Sequence, residues 1–121
     1  MSCLSDLKRE RVSVEMFLVK QGERGFFVRA SDIDWIESSR NNVILHVGNQ
    51  KHDYHATTLE IEARLNPRKF LRIHRSVIVN IEKILEMQAW FNGSWRVTLR
   101  DGTLLRMSKP YRQRLFRRMA V

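Results

Sequence analysis

Phe70-Leu71-Arg72-Ile73-His74-Arg75-Ser76-Val77-Ile78-Val79-Asn80 carries a run of polar, hydrogen-bonding side chains straight into a β-branched apolar strand. Val77-Ile78-Val79 suits a pleated, half-buried backbone, and a strand there holds the preceding turn rigid. Arg75 can donate a bidentate pair of hydrogen bonds to guanine O6 and N7, whereas Arg72 and Ser76 suit phosphate oxygens. A solvated surface turn is the plainer reading of the same residues. His74 stands between a base or phosphate contact and a loop-fixing hydrogen bond to backbone.

Upstream of this stretch, Thr57 caps a helix, Glu60 completes a capping box and Asn66-Pro67 stops it, which predicts a helix from Thr58 to about Leu65. Closer to the N-terminus, Val12, Val14, Met16 and Leu18 recur at every second residue and give a strand one apolar face. Gly22-Glu23-Arg24-Gly25 then returns the chain into Phe26-Phe27-Val28 as a first hairpin. Trp35-Ile36 open a further apolar stretch. Beyond a polar insert, Ser38 to Asn42, the residues Val43, Leu45 and Val47 alternate again, and Gly48-Asn49 turns the chain into Lys51 to Ala56.

Downstream, Asn92-Gly93 and Asp101-Gly102 are turn signals that divide the C-terminal half into strands near 84–91, 94–99 and 104–107. Ser108 as cap, Pro110 in a first turn and Tyr111, Leu115 and Met119 at i, i+4, i+8 predict a short closing helix. The expected architecture is mainly β with two short helices. Residues 1–11 are polar and charge-mixed and read as a flexible N-terminal lead-in or linker stub, leaving 12–121 as one folded domain.

A chain of 121 residues is one domain at roughly 150 residues each, which excludes a two-domain enzyme. Lys plus Arg number 22 against 13 Asp plus Glu, a net charge of +9, and an excess of that size favours a polyanionic partner. A hydrophobic fraction of 43% argues against a disordered basic tail. The single cysteine, Cys3, has no partner within the chain and fits a reducing compartment, the cytoplasm. No run approaches the roughly 20 apolar residues that cross a bilayer, so no membrane association is expected.

Catalytic patterns are missing. If His52-Asp53-Tyr54-His55 is a strand, its two imidazoles point to opposite faces and cannot chelate one ion, so no metal is expected. Cys3 lies outside the patterned region, which disfavours a thiol nucleophile. The chain has neither a phosphate-cradling Gly-Lys-Ser/Thr loop nor a Gly-x-Ser-x-Gly elbow, and its carboxylates are scattered. No cofactor and no enzymatic activity are expected. Trp35, Trp90 and Trp95, on alternating strands, are read as core rather than as base-stacking platforms.

The order Asp32-Ile33, Trp35-Ile36-Glu37, a polar loop ending Asn41-Asn42-Val43, Thr58-Leu59 opening a helix, the stretch from Phe70 to Asn80, Asp101-Gly102 and Ser108-Lys109 closely resembles the LytTR-type DNA-binding domain of bacterial transcription regulators. The resemblance covers roughly residues 14–118. It implies an elongated stack of three small antiparallel sheets, about ten short strands in all. It also implies loops that read successive major grooves of direct-repeat sites in double-stranded DNA. Family members usually carry an input domain ahead of this module, for which this chain has no room.

The family's contact positions fall here on Arg40-Asn41-Asn42, on His74-Arg75, and on Lys109 beside Pro110. Asn41 or Asn42 suits adenine N6 and N7, Arg75 suits guanine, and Lys109 suits guanine or phosphate. The family commonly has an aromatic where Asn42 stands and a basic residue where Pro110 stands. Asn42 therefore either reads a base or closes the turn, and Lys109 carries the third loop alone. Arg40, Arg72, Ser76 and Ser108 are the expected phosphate contacts within these loops. Arg112, Arg114, Arg117 and Arg118 follow along the helix as backbone clamps, a solvated basic face being the alternative. The reading is a sequence-specific transcription regulator, with two copies on one DNA or pairing with a signalling partner as expected assemblies. Two rivals are a module that pairs with and blocks another such regulator, and a single-strand binder.

Overall fold

The computed structural model describes residues 13–119. Ten strands follow one another: β1 (Met16–Gln21), β2 (Arg24–Arg29), β3 (Trp35–Ser39), β4 (Asn42–Val47), β5 (Gln50–Tyr54), β6 (Phe70–His74), β7 (Val77–Asn80), β8 (Ile84–Ala89), β9 (Trp95–Leu99) and β10 (Leu104–Met107). Helix α1 (Thr58–Arg64) joins β5 to β6, and α2 (Lys109–Arg118) follows β10. Every pairing is antiparallel, in three sheets: β1-β2, a central β5-β4-β3-β7-β6, and β10-β9-β8. Both expected helices are present, and Thr57 and Glu60 form the reciprocal capping box. The lead-in and Cys3 lie outside the described residues.

The central sheet separates two cores, because strand side chains alternate between faces. On one side Ile36, Val43, Leu45, Phe70 and Ile78 meet Phe17, Val19 and Val28 from the first hairpin and Ile61 and Leu65 from the α1 segment. On the other, Leu71, Ile73 and Val79 meet Val97, Leu99, Leu105 and Met107 from the third sheet and Leu115 from α2. In β7 the alternation is direct: Ile78 enters the first core and Val79 the second. Full burial of each such side chain is worth about 1.5–3 kcal/mol. Two cores therefore clamp β6 and β7, and with them the turn between.

Three expectations change. In β1 the apolar face built on Met16 and Leu18 is the outer one, each being 45% exposed, while Phe17 and Val19 face inward; Val12 lies outside the described residues. The polar insert Ser38 to Asn42 is mostly strand with a two-residue tip, Arg40-Asn41. In α2 the docking side is Leu115 with Tyr111 and Phe116, while Met119 is exposed beyond the helix end.

Asn80 closes β7 and is 2% exposed. Its Nδ2 donates to Ile33 O at 2.9 Å, and its Oδ1 accepts from Glu82 N at 3.1 Å. Asn80→Ala would leave both backbone groups without this partner, so we expect a loss of about 2 kcal/mol of stability in urea denaturation. A change below about 0.5 kcal/mol, the size of an ordinary surface substitution, would show that the pair is not holding the strand end.

Candidate nucleic-acid interface

Antiparallel register brings three turns to one end of the central sheet. The β3–β4 tip is Arg40-Asn41, and the β6–β7 turn is Arg75-Ser76. Because β3 and β7 are neighbours, Ser38 N donates to Ser76 O at 2.9 Å and sets these two turns side by side. Ser108 N donates to Ile73 O at 2.9 Å, which docks the start of α2 against the β6 edge next to His74. Two backbone hydrogen bonds thus gather Arg40, Asn41, His74, Arg75, Ser76, Ser108 and Lys109 along one edge. Ser108 contributes through its backbone; its side chain makes no cap hydrogen bond.

Arg72 holds the middle turn from beneath. Its Nη1 donates to Glu62 Oε1 at 3.0 Å, its Nε to His74 O at 3.4 Å and its Nη2 to Arg75 O. With its side chain 16% exposed, this guanidinium braces α1 against the turn. Arg75 is exposed, and no carboxylate lies within 4.0 Å of it among the described residues.

His74 Nδ1 accepts from Ser76 N at 3.2 Å and lies 3.0 Å from Ser76 Oγ, so the loop-fixing role is realised and the Ser76 hydroxyl is engaged within the turn. An Nδ1 that accepts a backbone N–H carries no proton, which leaves the neutral ring with its N–H at Nε2. Burial, and then the charges of Arg106, Arg75 and Arg72, hold the His74 pKa below the ordinary 6.5. The unfolded chain therefore takes the proton first. This group's share of stability is complete above about pH 6.5 and is lost as the pH falls from there through the lowered folded value.

At the β3–β4 tip Arg40 has φ 58°, the left-handed region that costs an L-residue about 1–2 kcal/mol. Asn41 is exposed beside it. Asn42 is the first residue of β4, and its Oδ1 lies 2.9 Å from His55 Nδ1. This contact is with a residue thirteen positions away rather than a closure of the turn, and a bidentate adenine contact would need that same oxygen.

Lys109 is exposed, and its stem crosses the β8–β9 tip at Gly93. A Cβ placed on Gly93 would lie 2.9 Å from Lys109 Cδ and 3.2 Å from Cγ. Gly93 also has φ +78°. Gly93→Ala should cost about 1 kcal/mol or more of stability and move Lys109, weakening DNA binding several-fold. Anisotropy titration of the folded variant reads this, and wild-type affinity would show that the Lys109 position is not set here.

The basic residues of α2 separate. Arg114 is exposed, 4.7 Å from the Tyr111 ring centroid, and Arg72 approaches the same ring at 5.7 Å. Arg112 is turned inward, its Nε buried and its guanidinium 5.5 Å from the Phe116 ring. Arg117 Nε donates to Gln113 O at 3.4 Å, and Arg118 Nη2 donates to Pro67 O at 2.6 Å. A ten-residue helix is about 15 Å long. Arg118 therefore sits by the start of β6, at the opposite end of the strand from His74.

Arg106 was not singled out from the sequence. It is exposed on β10 and close enough to His74 to lower its pKa. The alternation of β10 shows it pointing away from the core, but its proximity to a turn more than thirty residues away in sequence is not legible there. Of the tryptophans, Trp35 stacks on His46 at 3.9 Å and Trp95 meets Phe116 edge-on at 5.6 Å, whereas Trp90 lies past the end of β8 and is 48% exposed. Among the described residues no group of three or more His, Cys, Asp or Glu forms a metal-ligand cluster.

A mainly β scaffold that turns donor-rich tips to one edge has the build of a nucleic-acid-reading class of domain. The family model of the LytTr DNA-binding domain matches residues 23–120, and the chain belongs to that family. It is 31% identical over 94 residues to the sensory transduction protein LytT of Bacillus subtilis (strain 168), covering 78% of this chain and 39% of that protein. It is 37% identical over 67 residues to the transcriptional regulatory protein LytR of Staphylococcus aureus (strain N315), 55% of this chain and 27% of the relative. The chain thus spans less than half the length of these relatives. Its fold matches the LytTr DNA-binding domain of a Bacillus cereus protein described as a methyl-accepting/DNA response regulator, with TM-score 0.79 and 18% identity, over 87% of this chain and 96% of that one. No helix among the described residues is long and apolar enough to cross a membrane.

Proposed function

We propose that this domain binds double-stranded DNA sequence-specifically and serves transcription regulation, reading major grooves through its three turns. The observation that carries this reading is the gathering of those turns by the Ser38–Ser76 and Ser108–Ile73 backbone hydrogen bonds. Arg75 reads guanine, Asn41 is the better placed of the two asparagines to meet a base, and His74 offers Nε2–H. Lys109 meets a guanine or a phosphate. Arg40 and Arg114 neutralise phosphates and supply a salt-dependent term, while Arg72 shapes the turn. Two copies on one face of the duplex would read direct repeats about 10 base pairs apart.

Selection from a random duplex library, followed by titration of the winning site and a scrambled duplex at two salt concentrations, tests this directly. A recovered motif with a large specificity ratio is the expected result. Binding that merely fades with salt, with no motif, would overturn it. That outcome would favour a module that pairs with another regulator, a reading for which Met16, Leu18 and Phe27 provide an exposed apolar face on the first hairpin.

A further inference from the structure

Arg96 on β9 and Arg106 on β10 are direct partners in the antiparallel ladder. Like charges placed opposite one another destabilise a sheet. No carboxylate lies within 4.0 Å of either among the described residues. Glu86 of β8 pairs with Thr98 rather than with Arg96, whose partner on that side is Gln88. Among the described residues nothing offsets the repulsion, and an anion laid across the pair would remove it.

Arg96 is also held in place. The Arg96 guanidinium lies 3.7 Å from the centroid of the Trp90 ring, a cation–π distance at which the ring holds the charge. Trp90, Trp95, Arg96, Leu104, Leu105 and Arg106 line a shallow depression of about 200 Å³. Its position matters most. Arg106 precedes Ser108 by two positions, and the Ser108 N–H donates to Ile73 O at 2.9 Å, so one end of the pair adjoins the middle reading turn. The β8–β9 connection, which carries Trp90, supports the Lys109 stem through Gly93 at the other end.

We propose that Arg96 and Arg106 form a phosphate clamp on the DNA backbone beside the second and third reading turns, with Trp90 as the residue that positions Arg96. The inference rests on the DNA-binding reading above and adds to it a contact site on the third sheet. A strand that meets both His74 and Lys109 runs along this edge, and the pair lies beside it. Because phosphates carry no sequence information, the clamp adds affinity equally to every sequence and steers the backbone toward the reading turns.

The test is an anisotropy titration of wild type, Arg96→Gln/Arg106→Gln, Trp90→Phe and Trp90→Leu on the selected duplex and on a scrambled duplex of equal length, between about 50 and 200 mM salt. The double variant should lose about 1.8 from the slope of log K against log salt, roughly 0.9 for each phosphate released. Its affinity at the low-salt end should fall about equally on both duplexes, and its melting temperature should hold or rise as the like-charge pair disappears. Trp90→Phe should keep the wild-type slope and Trp90→Leu should not. A double variant with wild-type slope and affinity, on a duplex that wild type still binds specifically, overturns the clamp and leaves the DNA-binding reading intact. Wild type that binds neither duplex overturns both. A double variant that keeps its DNA slope but no longer binds poly-L-glutamate overturns the clamp in favour of an acidic protein partner.

Discussion

Replacing Arg75 by alanine should lower affinity for the selected duplex by about 10- to 100-fold, or about 1–3 kcal/mol, the worth of one bidentate base contact. Binding to a scrambled duplex should fall only by the few-fold that one lost phosphate-range charge removes. The asymmetry follows from the position of the residue. Arg75 is exposed at the tip of a turn that two cores clamp through β6 and β7, and no carboxylate within 4.0 Å among the described residues competes for its donors. Stability should be unchanged, because the structural hydrogen bond at this position is made by the Arg75 carbonyl and not by its side chain. Selecting sites anew with the variant sharpens the test: one motif position should relax while the others persist. Equal losses on selected and scrambled duplexes would reduce Arg75 to a phosphate contact.

Arg72→Ala should damage both stability and specificity, by about 2 kcal/mol in the first and at least tenfold in the second. Its guanidinium bonds the Glu62 carboxylate and two carbonyls of the reading turn, so truncation removes an ion pair and unpins the backbone that aims Arg75. The loss should fall mainly on selected DNA, since a misdirected reading turn still presents its charge. Arg72→Lys should not rescue it, because one ammonium cannot reproduce a planar fork that serves three acceptors. Glu62→Gln should be milder, as it keeps both bonds to the turn. If Arg72→Ala instead keeps wild-type stability and weakens all duplexes alike, Arg72 contacts phosphate and the brace is incidental.

Local features were readable where the physical cause was itself local. The α1 capping box involves residues three apart, and the hairpin tips at Gly22, Gly48 and Gly102 rest on single left-handed glycines. Strand β1 was harder, because Met16-Phe17-Leu18-Val19 is apolar on both faces and period-2 alternation offers two inward registers. The choice is made by what stands opposite: Phe17 meets the Tyr54 ring edge-on at 5.3 Å, an encounter between strands far apart in the chain. Trp90 reads as core if its strand runs to residue 91, but pairing ends at Ala89 and the ring falls outside.

The candidate site divides along the same line. Donor types at Asn41, Arg75 and Lys109, the net positive charge and the rigid strand after the turn are properties of composition and near neighbours, and the sequence alone supplied them. The destinations of the arginines are not. Arg72 is drawn under the turn by Glu62, ten residues away, Arg118 is carried to Pro67 by the run of α2 along β6, and Arg106 reaches the neighbourhood of His74 because the third sheet packs against β6. A guanidinium on a long flexible stem takes the partner that folding brings within reach, so its role depends on tertiary distances that no spacing along the chain encodes.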